Sequence, residues 1–156
     1  MILEINIFAE EFISKLSKII SKKGGGILIF DYGKENNVGN TIKVTGNYNK
    51  ENFLNILENQ DVTHDVDFRA LKFVAQKNGA RLIGPINQGT FLKELGIETR
   101  LKMIRKNNNP NYDRKLIQDF VRLTSNTYMG ELFKVALLLP NGNGFPPGFI
   151  SLQKGK

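Results

Sequence analysis

The apolar positions change period along the chain, and each change marks out an element. Over residues 8–20 they fall at Phe8, Phe12, Ile13, Leu16, Ile19 and Ile20, the three-to-four spacing that stacks side chains along one helix face. Asn6 stands where it can cap this helix. Glu10 and Glu11 lie in its first turn and Lys22 and Lys23 in its last, each where the helix dipole favours that sign of charge. Gly24, Gly25 and Gly26 stop it by supplying positive φ. Ile27-Leu28-Ile29-Phe30 then runs unbroken between glycine and Asp31, which predicts a strand covered on both faces, as in a parallel sheet.

Residues 34–60 are rich in Asn and Gly and read as an excursion, apart from a short strand predicted over 41–44. A second helix is predicted over 66–78, with Phe68, Leu71, Val74 and Ala75 inward, Thr63 or Asp65 as cap and Gly79 as stop. Arg81-Leu82-Ile83 follows as a strand closed by Gly84-Pro85. Phe91, Leu92 and Leu95 share a helix face up to Gly96, and Ile97, Leu101 and Ile104 open another helical stretch. After a loop over 107–110, Leu116, Ile117, Phe120, Val121 and Leu123 mark a further helix. Residues 132–139 form a long apolar strand ended by Pro140. The remaining residues, 141–156, read as a Gly- and Pro-rich flexible tail, which leaves 1–140 as the folded domain.

Helix, strand, helix, strand, helices, strand is an α/β order. It also describes an incomplete sheet, because three long strands face at least four helices. The opening Met1-Ile2-Leu3-Glu4-Ile5 resembles the end of a strand whose neighbours lie upstream.

Composition narrows the chemistry. The 156 residues are 40% hydrophobic and include 11 Phe, enough apolar material for one core. With no cysteine, disulfides, thiolate metal sites and a cysteine nucleophile are excluded. No apolar run approaches the roughly 20 residues that cross a bilayer, and the first residues lack the basic start of a secretory signal, so the expected location is cytoplasmic. The net charge of +7 permits an anionic partner. A small basic nucleic-acid-binding or non-catalytic interaction module is therefore the alternative reading. Phe91, Phe120 and Phe133 argue against nucleic acid, because they fall at core-periodic positions and are not interleaved with Lys and Arg on one face.

Four strings point in one direction: GGGILIFDYG at Gly24 to Gly33, DVTHDVDF at Asp61 to Phe68, GPINQGTFLKELGIETRLK at Gly84 to Lys102, and MGELFKVALLLP at Met129 to Pro140. In order and spacing they resemble the C-terminal half of the MidA family, which includes the mitochondrial complex I assembly methyltransferase. The resemblance implies a class I, Rossmann-like methyltransferase fold that uses S-adenosylmethionine. It implies protein arginine methylation of a respiratory complex I subunit, in a family roughly twice this length. The family's first half carries the glycine-rich loop and the acidic residue that hold the cofactor. Here the glycine run at Gly24 to Gly26 precedes a strand, whereas a cofactor loop follows one and opens a helix. The chain is thus expected to be the substrate side of the catalytic domain, inactive alone, with a complementing N-terminal half as a possible partner. A His near Tyr48 and a Pro-Gly pair near Leu57-Glu58, both part of the family pattern, are absent.

Candidate site residues follow from position. Asp31 and Tyr32 lie just past a strand end, where open α/β sheets bind ligands. Asp65 and Asp67 are carboxylates at motif positions, able to orient a guanidinium or to cap the next helix with Thr63. Gln88 and Thr90 open a helix whose N–H groups can hold an anion or a carbonyl. His64, the one histidine, reads as a solvent-facing bystander.

Overall fold

The computed structural model describes residues 4–35, 39–44, 61–105, 110–142 and 144–153. Its elements are α1 (Ile7–Lys23), β1 (Ile27–Lys34), β2 (Lys43–Val44), β3 (Val62–Thr63), β4 (Val66–Asp67), α2 (Phe68–Lys77), β5 (Ala80–Asn87), α3 (Gln88–Glu94), α4 (Ile97–Arg105), α5 (Pro110–Thr124), α6 (Met129–Leu132) and β6 (Phe133–Pro140). A four-stranded mixed sheet has the order β4-β1-β6-β5, and β2 and β3 form a separate two-stranded ribbon.

Asn6 caps α1 as expected, its side chain accepting from Ala9 N–H. The six apolar residues of α1 do not share one face. Ile13 and Ile20 are buried and Leu16 half-buried, whereas Phe8, Phe12 and Ile19 point to solvent. The 3.6-residue turn separates the two sets into adjacent stripes. Gly24 closes the helix at φ 76°, donating to the Ile20 carbonyl.

The apolar run at Ile27 predicts a parallel strand covered on both faces, and the structure corrects this. β1 lies antiparallel to β6, Ile27 opposite Leu138 through Tyr32 opposite Phe133, and meets a parallel neighbour only where Gly33 and Lys34 pair with Val66 and Asp67 of β4. At that junction a side chain on Gly33 would collide with the Val66 carbonyl and the Phe68 ring. Ile27 and Ile29 turn towards α1 and α2, while Leu28 and Phe30 stay 44% and 43% exposed on the other face. The expected helix over 66–78 starts two residues later, because Val66 and Asp67 are spent on β4 and Asp67 itself becomes the cap. The expected break at Gly84-Pro85 does not end β5, which absorbs it as a shift in register between Ile83 and Ile86.

Two cores back onto the sheet. Ile13, Ile20, Phe68, Leu71, Ala75, Leu82, Ala136 and Leu138 fill the space under α1 and α2. On the opposite face Ile83, Ile86, Phe91, Val135 and Phe149 form the second, and α4, α5 and α6 pack around α3. Composition reads the segment after Pro140 as a flexible tail, yet Phe149 is completely buried there and stacks at 5.4 Å on Phe91. Ile150 and Ser151 N–H groups donate to the Glu94 carboxylate at 2.7 and 2.9 Å, fastening a 3-10 turn at Ile150–Gln153. A large aromatic side chain outweighs the local glycines once it has a cavity to fill.

Glu4 fixes the ribbon. One carboxylate oxygen accepts from the backbone N–H of Thr41 (2.6 Å) and Ile42 (3.3 Å), the other from the Thr41 hydroxyl (2.6 Å). The hydroxyl oxygen in turn accepts from Asp65 N–H at 3.0 Å. Desolvation pushes the Glu4 pKa up, but the Thr41 and Ile42 hydrogen bonds, helped by His64, outweigh it and leave the carboxyl below its ordinary value.

Two outcomes test this description. Phe149→Ala should cost about 3–5 kcal/mol, the range for emptying an aromatic core site, read as a lower urea midpoint; an unchanged midpoint would return residues 141–156 to a flexible tail. Glu4→Gln should destabilise by about 1 kcal/mol at neutral pH, a charge-assisted contact discounted for solvent. A lowered folded pKa contributes stability in full above the unfolded value of about 4.3 and loses it as pH falls through the folded value. The melting curves of the two proteins should therefore converge in acid and separate at neutral pH.

Candidate functional site

Because β1 and β5 both run antiparallel to β6, they are parallel to each other, and β4 is parallel to β1. Their carboxyl ends share one edge of the sheet, the edge at which open α/β folds bind ligands. Asp31, Lys134 and Asn87 lie in one cross-strand row there. Asp31 turns back on its own chain, its carboxylate accepting from Tyr32 N–H at 2.8 Å. Lys134 donates to the Asn87 side-chain oxygen (2.8 Å) and the Glu131 carbonyl (2.6 Å). Burial lowers its pKa and Lys34 adds to that, while Glu131 opposes both. On the opposite face Tyr32 packs against Phe133, ring centres 4.2 Å apart.

Beside this edge lies a cleft of about 490 Å³ between the start of α1, the ribbon and β4. Its walls include Ile5, Phe8, Ile42 and Val66, and its lining carries four carboxylate residues, Glu4, Glu10, Asp65 and Asp67, with no Lys or Arg. Asp67 is also the α2 cap, accepting from Arg69 and Ala70 N–H, the capping role weighed for it. Asp65 reaches Lys43 at 3.8 Å.

Asp65 and Asp67 are thus brought together in the cleft, which Asp31, Tyr32, Gln88 and Thr90 do not line. Gln88 is buried and donates to the Leu123 carbonyl at 2.9 Å, holding α3 to α5. Thr90 is exposed. Sequence reasoning missed Glu4 as a site residue. The signal was present, since a glutamate inside an apolar run needs hydrogen-bonding partners if the run packs. His64 is exposed but engaged. Asn6 presents its amide NH₂ to His64 Nε2 (3.0 Å), because its oxygen already accepts from Ala9, and Nδ1 then donates to the Asp65 carbonyl (3.0 Å). With both contacts made, Nε2 acts as the acceptor and Nδ1 as the donor.

Neither glycine turn among the described residues has the form of a cofactor loop. Gly24 to Gly26 close a helix and enter β1 from its start. The one glycine at the β5 to α3 turn, Gly89, is pressed against the Thr124 carbonyl, which leaves no room for a side chain there. Among the described residues no group of three or more metal-ligating side chains occurs, and no helix is long and apolar enough to cross a membrane.

Comparison with known proteins places the chain. Residues 1–86 match the family model described as "Putative S-adenosyl-L-methionine-dependent methyltransferase". The mitochondrial protein arginine methyltransferase NDUFAF7 of Homo sapiens is 38% identical over 83% of this chain, and its Danio rerio counterpart 32% over 84%. These matches span 29% and 31% of the relatives' own length, so the relatives are about three times as long, where a factor of two was expected. A Burkholderia thailandensis protein solved with S-adenosyl-homocysteine bound shares the fold at a TM-score of 0.69 and 23% identity, over 90% of this chain and 38% of that one. The relatives are mitochondrial proteins, which overturns the cytoplasmic location expected from the lack of a signal. The chain belongs to the S-adenosyl-L-methionine-dependent methyltransferase family, in an α/β fold with a mixed sheet.

Proposed function

We propose that this chain is the substrate-side portion of a protein arginine methyltransferase and that it acts in respiratory complex I assembly. The observation that carries the reading is its 38% identity, over 83% of its length, to a protein arginine methyltransferase. The cleft adds chemical support. A guanidinium on a three-carbon stem pairs with carboxylates at its head and apolar walls along its stem, and a lining of four acids with no Lys or Arg beside Ile5, Phe8, Ile42 and Val66 suits both ends. In this reading Asp65 and Asp67 polarise and orient the acceptor, and Asp31 and Tyr32 shape the neighbouring strand ends.

The cofactor is held by a complementing N-terminal half, linked or separate, a reading supported by the lack of a cofactor-type glycine loop among the described residues. The chain is then inactive alone. The nucleic-acid-binding alternative has no comparable support.

Calorimetry with S-adenosylmethionine is the first test. The isolated chain should show weak or no binding. A dissociation constant in the low micromolar range, about −8 kcal/mol, would move the cofactor site into this chain and sink the division of labour. With a complementing half added, radiolabelled methyl should enter an arginine substrate, and Asp31→Asn or Tyr32→Ala should lower the rate more than the melting temperature. Equal losses would assign both residues to structure.

A further inference from the structure

Three Asn-Gly pairs occur in the chain, Asn78-Gly79, Asn141-Gly142 and Asn143-Gly144. Asparagine before glycine is chemically labile, because glycine has no Cβ to keep its backbone nitrogen away from the asparagine side chain. That nitrogen must shed its proton and swing onto the side-chain carbonyl carbon, so the fold decides which pair can react. Asn143 lies outside the described residues. The other two pairs are held in opposite ways.

Asn78 closes α2, and the groups the reaction needs are all engaged. Its side-chain NH₂ donates to the Val74 carbonyl at 2.8 Å, its own N–H to the Ala75 carbonyl at 3.0 Å, and the Gly79 N–H to the Gln76 carbonyl at 3.3 Å. The attacking nitrogen and the departing amide are thereby tied to different carbonyls of one helix end. Freeing both takes local unfolding of the last turn.

Asn141 and Gly142 follow β6 directly, and both are exposed. Among the described residues no hydrogen bond holds the Asn141 amide or the Gly142 N–H, and a side chain on Gly142 would meet nothing within 4 Å. Arg81 donates to the carbonyl of Pro140, the residue before Asn141, at 3.3 Å. Its positive charge favours both a deprotonated nitrogen and an anionic product close by. The chain is anchored on either side, at Pro140 opposite Ala80 and at Phe149 against Phe91. A change at Asn141 falls between these anchors and outside both cores.

We propose that Asn141 is a site of spontaneous hydrolytic modification in the folded protein. The Gly142 nitrogen attacks the Asn141 side-chain carbonyl carbon. The new C–N bond closes a cyclic imide, and the side-chain nitrogen leaves as ammonia with the proton that Gly142 gave up. Water then opens the imide at either carbonyl, yielding aspartate, or isoaspartate whose backbone runs through the side-chain carbon. Water enters and ammonia leaves, with nothing oxidised or reduced. The product carries a carboxylate in place of an amide and stays folded, because no packing contact is spent. None of this chemistry depends on the proposed function.

Site-resolved peptide mass spectrometry, after incubation at mildly alkaline pH in heavy-oxygen water, follows each asparagine in the folded chain and in the same chain held in denaturant. In denaturant Asn78 and Asn141 should convert at comparable rates, each taking up heavy oxygen. In the folded chain Asn78 should slow by about tenfold or more, while Asn141 stays within about threefold of its denatured rate. Gly142→Ala, at a position with open space and no positive φ, should slow conversion of Asn141 by about tenfold or more with the melt unchanged. An Asn141 amide that survives in the folded chain while the denatured chain converts would overturn the proposal. So would Asn78 converting as fast as Asn141 in the folded chain, or a Gly142→Ala chain that converts at the wild-type rate.

Discussion

Strand β6 is the constraint on which the rest depends. It lies between β1 and β5, and its alternating side chains enter both cores, Ala136 and Leu138 below α1 and α2, Val135, Leu137 and Leu139 on the opposite face. Val135, Ala136 and Leu138 are completely buried. Pairing antiparallel with both neighbours makes β1 and β5 parallel although they never touch, and so brings their carboxyl ends to a single edge. A slip of one residue in β6 would exchange the two cores' side chains.

A second, smaller constraint acts at the other end. Glu4 holds Thr41 and Ile42, and Thr41 holds Asp65, so three segments far apart in sequence meet through one carboxylate and one hydroxyl. Glu4, Ile42 and Asp65, joined through these contacts, line the cleft. Hydrogen bonds to a carboxylate are stronger than those between neutral groups, and here they also set its charge state, since they favour the ionised form. His64 and Asn6 add a tie across the same opening.

What the sequence disclosed follows from how local each signal is. The α1 cap, the Gly24 stop, the α2 core positions and the long C-terminal strand depend on neighbours three or four residues away, and each is present in the structure. The direction of β1 depends on β6, about a hundred residues later, and periodicity carries no record of it. Phe149 shows the same limit, because glycine and proline around it describe the backbone while the ring's destination is set by Phe91. Among the site candidates, Asp67 was legible as a cap because capping is local. Gln88 reads as an outward-facing helix start and is instead buried against Leu123, an outcome decided by where α5 packs.

Global charge is the least informative signal of all. A net charge of +7 suggests an anionic partner, yet the cleft beside the sheet edge is lined by four acids and by no Lys or Arg. The two facts are compatible because screening at physiological salt confines a surface charge to about 8 Å. A lysine on a far helix contributes little to the potential inside the cleft, where Glu4, Glu10, Asp65 and Asp67 are concentrated against apolar walls of low dielectric. A field focused by such walls acts on the group that enters, while the basic exterior acts on the approach of the whole partner. A protein can therefore draw in an acidic surface overall and still select a cationic side chain at the point of contact.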